Sequence, residues 1–230
     1  MSPIHTRRET GNYQDGEIPD FANRLRRARL GLGLALAMVT TTFAVFTVTF
    51  GARRYFEDWL GVDSATPARV VHWTHFQLPY AILLCNTFLL LLSSATMEMA
   101  RRQVTKRAAL APVERIPGVS LGQERNLPWL PATIVLGCAF VAGQVLAWHQ
   151  MGTRGIYLTT TPNSTFVYLA TILHAIHLGA GLIALFCAVG LAIGKVSWDS
   201  RRIVVDTTAW YWHFMAALWV YLFGLVALLN

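Results

Sequence analysis

The stretch FVYLATILHAIHLGAGLIALF, Phe166–Phe186, contains no Asp, Glu, Lys or Arg. A helix rises about 1.5 Å per residue, so a run of this length crosses the roughly 30 Å hydrocarbon core of a bilayer. Water-soluble domains seldom tolerate so long an apolar segment, and this one predicts a transmembrane helix. Its only strongly polar side chains are His174 and His177, three positions apart and therefore near one another on the helix surface.

The rest of the chain repeats the pattern. Of its 230 residues 54% are hydrophobic and 13% charged, a balance too apolar for an ordinary soluble domain. Uncharged runs extend over Leu30–Ala52, Val70–Met97, Asn126–Thr153, Gly155–Gly194 and Thr207–Asn230. Each holds one span. The fourth is longest, but it opens with the loop-forming TTTPNS from Thr159 and is too short for two spans and a turn. The expected fold is an all-α membrane protein, a bundle of five transmembrane helices over about 30–52, 74–97, 128–150, 165–193 and 207–229. These form one transmembrane domain over 23–230, preceded by a polar, disordered tail over 1–22. That tail lacks the pattern of a cleaved leader.

Lys and Arg set the expected orientation, because cytoplasmic loops carry their excess. Six lie in the tail (Arg7, Arg8, Arg24, Arg26, Arg27, Arg29), six in the second loop (Arg101, Arg102, Lys106, Arg107, Arg115, Arg125) and three in the fourth (Lys195, Arg201, Arg202). The other side has Arg53, Arg54, Arg69 and Arg154. This places the N-terminus in the cytoplasm and the C-terminus in the periplasm. The net charge of +7 is accounted for by these flanking clusters, which suit anionic lipid headgroups and give no reason to invoke nucleic acid.

Chemistry is sparse in the spans. All twelve acidic residues fall in tails, loops or at the ends of the predicted helices, so no carboxylate is placed as a proton or ion carrier well inside the bilayer. Cys85, Cys138 and Cys187 lie one per span, form no CxxC pair and read as small packing residues. The histidines leave three readings open: a b-type haem, a metal, or hydrogen bonding between helices. A haem needs histidines at matching depth on two helices. Counted from the cytoplasmic ends, His213 lies about 10 Å deep, His177 and His174 roughly 27 and 31 Å, and His75 roughly 35 Å. His213 cannot share a haem with either of the pair; His75 with His174, or a surface metal at His72, His75 and His149, remain geometrically open. Gln144, Asn86 and the small residues Gly179, Ala180 and Gly181 favour packing. Trp129, Trp198 and Trp210 on one side, and Trp73 and Trp148 on the other, read as interfacial anchors.

The order of motifs adds what the chemistry cannot. LLLLSSATMEMARR ending at Arg102, GQVLAW from Gly143, STFVYLATILHAIHLGAGLIAL from Ser164 and AWYWHFMAALWVYLF from Ala209 resemble, in this order, subunit III of the haem-copper oxidases such as cytochrome c oxidase. The resemblance covers about residues 25–230 and is to a short, five-helix bacterial form. It implies an accessory, non-catalytic subunit of the bacterial inner membrane that packs on catalytic subunit I in a complex with subunit II. It would bind phospholipid and carry no cofactor, haem and copper residing in the partner subunits. Cytochrome c or quinol would be met only through the complex. The alternatives are a related component of a quinol oxidase, nitric oxide reductase or supercomplex and, more distantly, an independent cytochrome or transporter. His174 and His177 match the family's paired histidines, Trp212 and His213 its WH, and Glu98, Arg101 and Arg102 the cytoplasmic end of its second helix here. With Gln144, these are the expected structural, lipid or subunit contacts. Where many relatives carry SE, a Glu before the third-helix Trp, and an Asp after WHFV, this chain has Met38–Val39, Ala147 and Ala216. Proton-related roles tied to those carboxylates do not transfer.

Overall fold

The structure is a computed structural model that describes residues 17–60, 78–114, 128–194 and 197–229. It contains five helices: α1 (Glu17–Leu60), α2 (Tyr80–Glu114), α3 (Trp129–Thr153), α4 (Pro162–Ile193) and α5 (Trp198–Leu229). No strand occurs among the described residues. All five helices are long and apolar enough to cross a membrane, as the charge-free runs predict.

Three of the five, α1, α2 and α5, exceed their predicted spans appreciably. A hydropathy count stops at the first charges, but a helix closes its own backbone hydrogen bonds and need not stop where lipid does. Thus α2 continues through Arg101, Arg102, Lys106 and Arg107 to Glu114, and α5 begins at Trp198, nine positions before its predicted start. Residues 1–16 of the predicted tail lie outside the described residues, while α1 begins at Glu17, within that tail.

The connection between α3 and α4 has visible local causes. Gly155 takes φ 76°, a left-handed conformation that costs glycine little. Thr161 caps α4 by accepting from the Ser164 N–H, Ser164 returns the bond to the Thr161 N–H, and Pro162 follows the cap.

Helices α2 to α5 form the body: α2 packs on α3 and α5, α4 on α5 and α3. Its core is built on Trp212, Trp219, Phe140, Leu90, Met97 and Leu185. Helix α1 is peripheral and packs mainly on α5. Phe46 and Phe50 of α1 stack on Phe166 of α4, with centroids 5.0 and 4.0 Å apart. Large apolar side chains such as Leu34, Met38, Val135, Ile183 and Leu228 are exposed on the remaining surface, as expected where the solvent is lipid. Cys85, Cys138 and Cys187 lie on this exposed surface, so their expected role as packing residues within the bundle is not what the structure shows.

Candidate functional site

Polar groups gather in two places. The first is a charged cluster at the arginine-rich end, joining three helices. Glu98 of α2 accepts from Arg101 Nε at 2.8 Å and Nη2 at 2.9 Å, and from Arg102 Nε at 2.8 Å. The i,i+3 and i,i+4 spacing puts all three on one helix face. Arg101 also reaches Asp206 of α5 at 3.3 Å, and Asp206 accepts from Arg29 of α1 at 2.9 Å. His213, two turns beyond Asp206, places Nδ1 2.5 Å from the Ser94 hydroxyl and Nε2 3.5 Å from Glu98.

Asp206 therefore ties α1, α2 and α5 together, and it is only 7% exposed. The sequence reading put it at a helix end. Because α5 starts at Trp198, Asp206 instead stands more than two turns inside the helix, and two arginines from other helices make its burial tolerable.

The second feature is Trp212, fully buried where four helices meet. Its indole N–H donates to Ser93 Oγ of α2 at 3.0 Å, and that hydroxyl donates to the Thr133 carbonyl of α3 at 3.3 Å. The ring lies against two glycines. A Cβ on Gly137 of α3 would fall 2.9 Å from Cη2, and one on Gly181 of α4 would fall 3.2 Å from Cε3 and 3.0 Å from the neighbouring Tyr211 ring. A Cβ at Gly137 would force a shift of the ring, and one at Gly181 would require its neighbours to give way by a few tenths of an ångström. Gly179 has open space instead, so of the pair flanking Ala180 one is a packing position and the other is not.

The paired histidines part company. His174 points into the body between Phe140 of α3 and Trp219 of α5, with ring centroids 6.0 and 5.2 Å away. It is fully buried, and neither ring nitrogen has a hydrogen-bond partner among the described residues. His177 is half-buried, holds its Nδ1 2.7 Å from the Leu173 carbonyl and faces Phe43 of α1 at 5.9 Å. Positions three apart differ by about 60° around a helix. That offset is enough to send one ring to the core and the other to α1.

Gln144 is buried on α3 and lines a small cavity, of about 20 Å³, with Trp148, Thr171, Trp219 and Leu222. Asn86 of α2 is pressed against Gly143 beside it. The structure thus brings Glu98, Arg101, Arg102 and His213 together, and sets Trp212, His174, His177 and Gln144 in separate packing environments. Arg29, Ser93, Ser94, Gly137 and Asp206 complete these contacts and were not singled out from sequence. Among the described residues no group of three or more His, Cys, Asp or Glu could hold a metal. His72 and His75, invoked for an outer haem or metal, lie outside the described residues, and His149 is exposed.

Fold and site together define a multi-pass, all-helical membrane protein whose polar side chains tie helix to helix. Known proteins narrow this further. No protein-family model matches the chain. It is 28% identical over 99 residues to a probable cytochrome c oxidase subunit 3 of Mycobacterium leprae, covering 43% of this chain and 48% of that protein. With a probable cytochrome c oxidase subunit 3 of Rickettsia prowazekii it shares 30% identity over 157 residues, 66% of this chain and 49% of the relative. With the cytochrome bo(3) ubiquinol oxidase subunit 3 of Pseudomonas aeruginosa it shares 26% over 176 residues, 72% and 76% respectively. The matches to the first two span about half of each relative's length. At modest identity, these relatives support a haem-copper oxidase subunit III.

Proposed function

We propose that this chain is the accessory subunit III of a haem-copper terminal oxidase in a bacterial inner membrane, with its N-terminus cytoplasmic and its C-terminus periplasmic. It packs on catalytic subunit I beside subunit II and holds phospholipid. The haem and copper that reduce dioxygen reside in those partners, and the complex couples electron transfer from cytochrome c to proton pumping. The observation that carries this reading is the similarity to subunit III relatives across more than half of the chain. The site fits it. His174 is buried against aromatic rings of α3 and α5, and Trp212 and Asp206 join helices to one another.

In this reading Glu98, Arg101, Arg102, Gln144, His174, His177, Trp212 and His213 maintain the bundle and its lipid and subunit contacts. Their loss lowers retention of the subunit and sustained turnover and leaves the haem spectrum unchanged. A quinol oxidase is the second reading, favoured by the relative from Pseudomonas aeruginosa, which is named a ubiquinol oxidase subunit and shares the longest of the three alignments.

The test is copurification in mild detergent from native membranes. A tagged chain should recover a haem-copper subunit with a reduced-minus-oxidised haem spectrum. A chain recovered alone, or with partners lacking haem and copper, overturns the assignment. Oxidation of reduced cytochrome c or of quinol by the recovered complex then separates the two branches.

A further inference from the structure

The connection between α3 and α4 is short, internally hydrogen-bonded and exposes two large apolar side chains. We propose that residues 154–161 form a membrane-interface anchor whose exposed pair, Tyr157 and Leu158, sits at the boundary between phospholipid headgroups and acyl chains.

Depth comes first. Helix α3 has 25 residues, and about 1.5 Å per residue makes it roughly 38 Å long. A bilayer measures about 30 Å across its hydrocarbon and 40–45 Å with its headgroups. A spanning α3 therefore ends within the headgroup layer, and α4 re-enters from Pro162.

The connection is also pinned from within. The Ile156 N–H donates to the Met151 carbonyl at 3.1 Å, and the Tyr168 hydroxyl donates to the Ile156 carbonyl at 2.9 Å. The Tyr157 N–H donates to Thr160 Oγ1 at 2.8 Å, and Thr165 Oγ1 donates to the Leu158 carbonyl at 2.6 Å. Backbone groups around the tip are thus satisfied by the protein, which lowers the cost of placing them near lipid. Arg154, Thr159 and Thr160 are exposed beside them, and the large apolar side chains presented outward are Tyr157, 59% exposed, and Leu158, 40% exposed.

Tyr at this depth can bury its ring and keep its hydroxyl wet, and Leu adds apolar area. Tyr55 and Phe56 of α1 are also exposed at this end, beyond the buried Phe50–Phe166 stack. Arg154 is the only charged residue between Thr153 and Thr165, and a cation suits phosphate headgroups. An aqueous partner protein would gain little from a tip held at this depth, so lipid is the occupant.

This inference rests on the membrane-spanning bundle and not on the oxidase assignment. The experiment uses the full chain with Cys85, Cys138 and Cys187 replaced by Ser and a spin label at Tyr157→Cys. It is measured in phosphatidylcholine nanodiscs containing anionic phosphatidylglycerol and again in the purified native complex. Power saturation should show collision with dissolved oxygen several-fold above collision with a water-soluble nickel chelate in both settings. A label dominated by the nickel chelate, or shielded from both reagents in the complex because protein covers it, overturns the proposal. Leu158→Cys must give the same pattern, and it decides the matter if the Tyr157 variant does not accumulate.

Discussion

Replacing Gly137 by Ala should destabilise the bundle although alanine is the better helix former. In a helix interior the change favours the helix by about 1 kcal/mol. Against this, the new Cβ would fall 2.9 Å from Cη2 and 3.0 Å from Cζ2 of Trp212. The ring cannot readily retreat: its N–H is held by Ser93 at 3.0 Å, and its other contacts include the closely approached Gly181. Forcing a methyl into such a packed contact costs typically about 1–3 kcal/mol, leaving a net loss on the order of 1 kcal/mol. Gly179→Ala is the control, since nothing lies within 4 Å of its Cβ position; it should be neutral or stabilising. The assay is equilibrium unfolding of the detergent-solubilised chain under increasing SDS fraction, followed by tryptophan fluorescence. Trp212→Phe removes the ring edge that Gly137 faces, so Gly137→Ala should cost less in that background. A Gly137→Ala variant at least as stable as the parent, or equally costly with and without Trp212, refutes the reasoning.

Asp206→Asn should loosen α1, because it weakens the ion pairs to Arg29 and Arg101. With Arg29 more than half exposed, the loss is roughly 1–3 kcal/mol, between surface and buried pairs, and faster proteolysis at the arginines of α1 reports it. Ser93→Ala leaves the Trp212 N–H without its acceptor and should cost about 1–3 kcal/mol in the SDS assay. His174→Phe removes buried ring nitrogens that have no partner among the described residues, so stability should hold or rise. His174→Ala opens a cavity between Phe140 and Trp219 and should cost about 2–4 kcal/mol. Neither His174 variant should alter the haem absorbance of the purified complex.

The five helices are legible because a bilayer imposes a minimum apolar length, and the charges at Arg29, Arg53, Glu98, Arg154 and Lys195 delimit runs that satisfy it. Helix ends are less legible, since α2 and α5 continue past those charges under purely local hydrogen bonding. Glu98, Arg101 and Arg102 are close in sequence, and their pairing follows from helical spacing alone. Asp206 lies 177 positions from Arg29 and 105 from Arg101, so no local pattern announces that the three meet. Ser93 is hidden for a different reason: within LLLLSSAT it looks like any small residue until the Trp212 indole arrives from α5. One retrospective signal exists. A buried tryptophan requires a hydrogen-bond acceptor and space for its ring, and the spans offer serines and glycines for both.

The same physics explains why the histidine pair misleads. In water, two histidines at i and i+3 suggest a shared ligand, because each remains free to turn toward it. In a packed bundle the orientation of each ring is decided by the neighbouring helix, and here the neighbours differ. His174 meets Phe140 and Trp219, whereas His177 meets Phe43 and binds its own helix at the Leu173 carbonyl. Metal binding would require converging donors, and the interhelical contacts make these two diverge. The ion pairs do converge, because Arg29 and Arg101 have stems long enough to reach one carboxylate from separate helices. Long flexible cations thus join α1, α2 and α5 at Asp206, while His174 and His177 are given over to packing and to their own helix.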